Sequence, residues 1–294
     1  MSADIEVCAP AKINIGLNIR EKRPDGFHNI EGIFQTVTLY DRLYVSVLDK
    51  KRECIVECEY KRSGNSFSLP ENNTLTAAYN AFCELTGCDF GVKVKIEKNI
   101  PAGSGLGGGS SDAASFIKAL AFLAKTALDE ESADKIAEKV GSDVFFFLRA
   151  RDEKKRFCAL VSGRGEIVKP ITARDDLSFV IVFPQVHSST KEAYELIDRA
   201  YAEGNRFVCP EYEELESIYN SPVKNWIFVN VFTSLLAKKY PQIGNALKEI
   251  KAQGASQSDM SGSGSAVFGV FDNKSAAERA FALLKQNRDC CIAR

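Results

Sequence analysis

Histidine is scarce in this chain, which has only two, His28 and His187, in 294 residues. With no cysteine in a nucleophile context either, a Ser/His/Asp or Cys/His hydrolase is not expected. Charge of one sign is also missing: 38 basic and 39 acidic side chains leave a formal net charge of −1. No global field then draws in nucleic acid, so an anionic ligand has to be caught locally. No stretch approaches the roughly 18 uninterrupted apolar residues that span a bilayer. The opening MSADIEVCAPAKI lacks a basic segment followed by an apolar one. The expectation is therefore a cytoplasmic protein with neither a nucleic-acid nor a membrane partner. The nine cysteines are odd in number, scattered, and form no CxxC. Reduced cysteines packed as small apolar groups suit that spacing better than a disulfide scaffold or a zinc site.

What the chain does have is an ordinary globular composition, 45% hydrophobic and 26% charged, over enough residues for two domains or one two-lobed unit. Strand patterns occupy 5–8, 13–19, 33–38, 41–48, 54–60, 66–69 and 92–96, with a polar turn at 20–28. Helical periodicity covers 73–85, 111–125 and 131–140. The apolar run 144–148 reads as a buried strand or a helix start, and the charged stretch 149–156 as a hairpin tip or domain joint. Beyond it come strands at 158–162, 166–170, 179–183 and 265–271, and helices at 190–201, 229–240, 243–252 and 275–286. Strands and helices do not alternate strictly, which predicts an α+β fold and not a doubly wound parallel sheet.

The segment IPAGSGLGGGSSDAA holds the densest chemistry. Gly103, Gly105, Gly107, Gly108 and Gly109 put five glycines in seven positions, just before an alanine-rich helix. Glycines let backbone approach a ligand, and a helix N-terminus offers unpaired donors and partial positive charge. Ser110, Ser111 and Asp112 add hydroxyls and a carboxylate where a phosphate or its Mg²⁺ would be met. A serine-capped turn would need far fewer glycines, each of which costs conformational entropy. The P-loop pattern GxxxxGK[ST] is absent. Gly103, Gly105 and Gly108 satisfy GxGxxG, but no second strand ending in an acid follows, so a dinucleotide-dependent oxidoreductase fits poorly.

Other candidates stand apart in the sequence. Lys12 interrupts the apolar strand PAKINIGLNI, either as an edge-strand lysine or as a functional one. Asp143 precedes the buried 144–148 run, either as a helix cap or as a base. Together near a phosphate loop, the pair could deprotonate a hydroxyl and stabilise developing charge. His28 and Phe27 lie in a bend where a flat ring could stack. Ser261-Gly262-Ser263-Gly264-Ser265 forms a second small-residue loop, either a flexible turn or the lining of a polar ligand.

In order, PAKINIGLNI, IPAGSGLGGGSSDAA and MSGSGSAVFGVF resemble the three motifs of the GHMP kinase superfamily. The extension KRPDGFHNIEGIFQTVTLYDRL is similar to the branch that phosphorylates a cytidyl alcohol in non-mevalonate isoprenoid biosynthesis. The resemblance runs over essentially the whole chain. It implies a two-lobed α+β kinase, with a ribosomal-protein-S5-domain-2-like lobe over 1–156 and a ferredoxin-like α/β lobe over 157–294. It also implies ATP and Mg²⁺, with transfer of the γ-phosphoryl group to the 2-hydroxyl of the methylerythritol moiety. On the same basis Asp143 is the general base and Lys12 its electrostatic partner. Asn73, Lys98, Pro101, Gly103, Ser104, Gly105, Gly107, Gly108, Gly109, Ser110 and Ser111 surround the nucleotide, with Ser111 the candidate metal ligand. Asn14 meets the erythritol end, His28 hydrogen-bonds the cytosine, Phe27 stacks on it, and Tyr194 is a second stacking ring. Phe27 stands where a tyrosine is usual, and GSDVFFFL lacks the proline that commonly follows aspartate-valine. Two alternatives stay open: a GHMP kinase of the mevalonate or homoserine type, and a non-catalytic nucleotide-binding protein on the same scaffold. The assembly is expected to be a monomer or homodimer.

Overall fold

Long antiparallel strands form where bulges absorb the residues that break the alternating pattern. In the computed structural model, which describes residues 3–61, 66, 67, 70, 72–152 and 155–294, β1 (Ile5–Lys22) pairs with β2 (His28–Lys51). The register runs from Ile5 opposite Val45 to Lys22 opposite His28, with shifts at Pro10/Ala11, Ile15/Leu17 and Ile19/Lys22. The first shift lies at Pro10, which has no N–H for the ladder, and the second contains Gly16 at φ +69°. Segments 5–8 and 13–19 are thus one strand, and so are 33–38 and 41–48.

Two more strands, β3 (Cys54–Tyr60) and β4 (Ser66–Phe67), lead to α1 (Thr74–Thr86) and β5 (Phe90–Lys98). Residues 68 and 69, which end the strand expected at 66–69, lie outside the described residues. Then come α2 (Gly108–Leu123), α3 (Glu130–Val140) and α4 (Ser142–Arg149). The run 144–148 is therefore helical, and Val144, Phe145, Phe146 and Phe147 of α4 are buried. Next are β6 (Cys158–Ser162) and β7 (Ile167–Ile171). The first sheet has the order β4-β3-β5-β2-β6-β7, with β1 also on β2. Since β2 pairs with β6 from Gly32–Val161 to Gln35–Cys158, a boundary at 156/157 passes between two strands of one sheet.

The rest of the chain forms β8 (Ser178–Val182), α5 (Thr190–Ala202), α6 (Leu215–Asn220), α7 (Val231–Lys239), α8 (Pro241–Ala252), β9 (Gln257–Met260), β10 (Val267–Phe271), α9 (Lys274–Leu284) and β11 (Cys290–Ala293). Its antiparallel sheet has the order β11-β8-β10-β9. The short strands β9 and β11 are not legible in the sequence, because four residues are too few to show alternation. Ala11, Ile13, Ile15 and Ile33 from the first sheet share one core cluster with Phe179, Ile181, Phe268 and Val270 from the second. The two sheets are thereby packed together, giving the expected two-lobed α+β architecture. A backbone seam between the lobes, Leu17 N to the Val229 carbonyl at 2.9 Å, runs beside the cleft.

Candidate active site

The phosphate-loop candidate and its surroundings converge on one cleft of about 750 Å³ between the lobes. Loop 101–107 leaves β5 and enters α2, whose N-cap, Gly107, provides no side-chain hydrogen bond. By contrast, Asn73 caps α1 fully, accepting from the Leu75 and Thr76 amides while Thr76 answers in a capping box. The first turn of α2 therefore has unanswered N–H groups, and Gly107, Gly108, Gly109 and Ser110 line the cleft. A cradle for a phosphate fits this geometry.

Steric necessity accounts for some of the glycines. A Cβ at Gly105 (φ +79°) would sit 2.0 Å from the Ser261 carbonyl oxygen. One at Gly107 (φ +71°) would meet Phe147 at 2.9 Å and Lys12 at 3.1 Å. The loop is pressed between the second glycine loop on one side and α4 with β1 on the other. At Gly109 the nearest atom would be Thr74 Oγ1 at 3.7 Å, so packing does not require glycine there.

Lys12 and Asp143, 131 residues apart, meet with Nζ 3.5 Å from Oδ2. The ammonium also donates to Asn14 Oδ1 at 2.6 Å and to the Gly105 carbonyl at 3.0 Å, and lies 5.0 Å from the centre of the Phe34 ring. Lys12 is 3% exposed. Burial lowers its pKa, and Asp143 only partly offsets that. Asp143, in the first turn of α4, is more open, with its side chain 29% exposed. A carboxylate there gains from the helix N-terminus. The N-cap of α4 is Gly141 and no side chain caps the helix, so Asp143 stands in the first turn without capping it, contrary to the cap alternative.

Asn14 follows on the same strand face. Its Oδ1 accepts from Lys12, which can only donate, so its Nδ2 is turned away and has no partner although buried. Asn14 also contributes to the cleft lining, and its buried Nδ2 is a donor left without a partner.

At the other end, the rings predicted for a base gather. His28 and Tyr194 stack at 4.8 Å with 24° between planes, and Tyr194 packs edge-on against Phe232 at 5.1 Å. Phe27 is 48% exposed, with the Arg164 guanidinium 5.2 Å from its ring centre. All three predicted rings line the cleft, but the protein stacks Tyr194 on His28 itself. His28 Nε2 lies 2.8 Å from Asp198 Oδ1, and Lys22 Nζ lies 3.3 Å from Oδ2. Burial tends to raise the Asp198 carboxyl, but His28 and Lys22 outweigh it and hold the group below its ordinary value. Burial pushes the Tyr194 phenol up to about 12.

Three predicted positions lie off the cleft lining. Asn73 is used in capping, with Nδ2 on the Pro70 carbonyl at 2.8 Å; its neighbour Thr74 is the residue that lines the cleft. Lys98 sits behind the loop, bonded to Asp41 and, at 2.6 Å, to Asp112. Burial alone would lower its pKa, yet the two carboxylates hold it above the ordinary value. Ser111 is fully buried and its hydroxyl has no hydrogen-bond partner. It is not among the residues lining the cleft. Among the described residues there is no cluster of three or more metal-ligating side chains. The residues present therefore do not fit a protein-built Mg²⁺ cage.

Pro101, Gly103 and Ser104 line the cleft as expected, and Ser104 Oγ donates to the Pro101 carbonyl at 2.7 Å. Sequence reasoning missed Lys22, Arg164, Thr190, Lys191, Glu195 and Asp198, all of which line the cleft. The only signal was that Lys191, Glu195 and Asp198 share one face of α5 at spacings of four and three, which also describes an ordinary solvated face. The second small-residue loop contributes Gly262, Ser263 and Gly264 to the cleft lining.

Comparison with known proteins gives a consistent picture. Residues 73–151 match the GHMP kinases N terminal domain and residues 214–288 the GHMP kinases C terminal domain. A 4-diphosphocytidyl-2-C-methyl-D-erythritol kinase of Treponema pallidum (strain Nichols) is 37% identical over 290 residues, covering 97% of this chain and 96% of the relative. The enzyme of that name from Thermotoga maritima is 38% identical over 274 residues, covering 92% and 93%. A crystal structure of 4-(cytidine 5'-diphospho)-2C-methyl-D-erythritol kinase superposes with a TM-score of 0.76 at 29% identity, covering 98% of both chains. A homoserine kinase from Cytophaga hutchinsonii, at 17% identity and a TM-score of 0.68 over 99% of this chain and 94% of its own, shares the fold.

Proposed function

This chain belongs to the GHMP kinases, in the branch of the 4-diphosphocytidyl-2-C-methyl-D-erythritol kinases, and from that premise we propose how its cleft carries out the reaction. The enzyme transfers a phosphoryl group from ATP to 4-diphosphocytidyl-2-C-methyl-D-erythritol in isoprenoid precursor biosynthesis, with the 2-hydroxyl as acceptor. The observation that carries the mechanism is the placing of the Lys12–Asp143 pair beside the uncapped start of α2, in the same cleft as His28, Tyr194 and Phe27.

Phosphoryl transfer depends mostly on in-line positioning and charge stabilisation. The amides at the start of α2 hold the nucleotide phosphates. Asn14 Nδ2 donates to an oxygen of the erythritol end and turns the acceptor hydroxyl toward Asp143. Asp143 takes the hydroxyl proton as the new O–P bond forms and the bond to the departing ADP breaks. Lys12, buried and partly compensated, supplies positive charge beside both groups. The aromatic end holds the cytosine, with Phe27 free to close on it. Mg²⁺ would supply neutralisation of phosphate charge, and no residue of this chain is assigned to hold it. Lys98, through Asp41 and its bond from the Ile100 amide, supports the start of the loop from behind.

The test is ADP release in a coupled assay with Mg-ATP, offering 4-diphosphocytidyl-methylerythritol, mevalonate and homoserine separately. Release with the cytidyl alcohol alone is expected. Release with another alcohol would keep the phosphate end and discard the aromatic end of the assignment. Tight ATP binding without release from any of them would mean a non-catalytic protein.

A further inference from the structure

Beneath the second glycine loop lies a buried carboxylate that touches neither proposed substrate. Asp259, in β9, is 6% exposed, and no cation is among the groups that act on it. Its oxygens accept instead from three donors: the Asn230 amide at 2.8 Å, the Met260 amide at 2.8 Å and Thr233 Oγ1 at 2.5 Å. The carboxylate thus ties the start of α7 to the strand that enters the loop. Asn230 is fully buried and uses its whole side chain. Oδ1 accepts from the Phe232 amide at 3.0 Å, while Nδ2 donates to the Met260 carbonyl at 2.7 Å and the Gly262 carbonyl at 2.8 Å.

Those two carbonyls flank Ser261. Its hydroxyl lies 2.9 Å from the Gly105 carbonyl and 3.2 Å from Asn14 Oδ1, and accepts from the Asn14 amide at 3.3 Å. Asn14 Oδ1 in turn receives Lys12 Nζ, which faces Asp143. Every link is a directed bond with a fixed donor sense or a hydroxyl held from two sides, and nearly every member is buried. Such a series transmits position well, because loosening one member leaves a buried group unpaired.

We propose that Asp259 and Asn230 are positioning residues for phosphoryl transfer, setting the second glycine loop so that Ser261 aims Asn14 and, through it, the Lys12 ammonium. This rests on the kinase reading of the cleft. A carboxylate suits position 259 because three donors converge there. Asparagine has the same shape but only one accepting oxygen, and it would turn an NH₂ toward a donor.

The experiment is a double-mutant cycle on kcat for the cytidyl alcohol, using Asp259→Asn and Ser261→Ala, with KM for ATP and Tm followed alongside. Each single variant is expected to lower kcat by roughly tenfold and to change KM for ATP less than about twofold. The double variant should be no slower than the slower single one, since both cut the same series. Multiplying effects on kcat, or an Asp259→Asn enzyme with unchanged kcat, would overturn the proposal. If Asp259→Asn does not fold, Thr233→Val removes one donor to the carboxylate and takes its place in the cycle, under the same criteria. Wild-type protein that releases no ADP from any alcohol would overturn the kinase reading itself, and the proposal with it.

Discussion

At the scale of single residues, the reaction depends on a few groups whose surroundings leave them little choice. Among the described residues Asp143 is the one carboxylate that pairs with Lys12, so Asp143→Asn should lower kcat by the 10²–10⁴ typical of a lost general base. Its affinity for ATP should change little, and a steady-state assay with a separate nucleotide titration checks both. Phe27 is half exposed and touches Arg164, not the core. Phe27→Ala should therefore raise KM for the cytidyl alcohol by roughly tenfold, as expected for one lost base–aromatic stack, and leave KM for ATP alone. Equal changes in both constants would mean the ring serves packing only. The sequence exposed these residues because each is odd for its setting: a lysine in an apolar strand, an acid before a phenylalanine run, an aromatic in a glycine turn. Asp198 and Lys22 stayed hidden because charged residues on a helix face and at a strand end are ordinary. Only the fold shows that Asp198 bonds His28 and receives Lys22 on its other oxygen.

At the scale of elements, the first turn of α2 separates two reasons for glycine. Gly105→Ala forces a Cβ onto the Ser261 carbonyl in a left-handed backbone. That substitution should lower Tm and abolish activity together. Gly109→Ala makes only an ordinary 3.7 Å contact with Thr74 Oγ1, in the first turn of a helix, where alanine is favoured over glycine by at most about 0.5–1 kcal/mol. Its methyl group would nevertheless stand on the cleft side of the cradle. Gly109→Ala is therefore expected to raise Tm slightly while raising KM for ATP, a split that thermal melts and steady-state kinetics read directly. Unchanged KM would mean that the phosphates lie elsewhere. Helices and the longer strands were legible from periodicity. Long β1 and β2 each read as two segments, because bulges shift the inward face partway along.

At the scale of the whole molecule, buried acids shape how stability responds to pH. Burial, with Asp41 beside it, pushes the Asp112 carboxyl up against the pull of Lys98, and burial pushes Asp259 up to about 6 against its three donors. Both lie above the value of about 3.9 for an unfolded aspartate. The stabilisation of each protonated form is therefore fully present below pH 4 and lost as pH rises through its folded value. One carboxylate, Asp41, already balances Lys98. Asp112→Asn should accordingly melt higher than wild type at pH 8, by about 2–4 °C for each kcal/mol recovered, with the advantage shrinking toward pH 5. A constant difference in Tm across that range would contradict this account. The α+β class and the two lobes were legible from the order of the elements. The extent of the first sheet was not, since pairing between β2 and β6 is a long-range contact with no local signature.

The two glycine loops also carry a consequence for the newly made protein. The Lys12 amide binds the Leu106 carbonyl at 2.9 Å, and the Ala266 amide binds the Ser104 carbonyl at 3.0 Å. The glycine-loop arch is thus assembled from the start, the middle and the far end of the chain. Contacts so distant in sequence close late, after local helices and hairpins have formed. A chain still leaving the ribosome has its glycine-rich turn early but lacks the partner that gives it shape. The two backbone bonds that shape this turn are complete only once β10 has emerged, so on the proposed reading a chain ending before β10 is expected to show no ATP binding in a nucleotide titration.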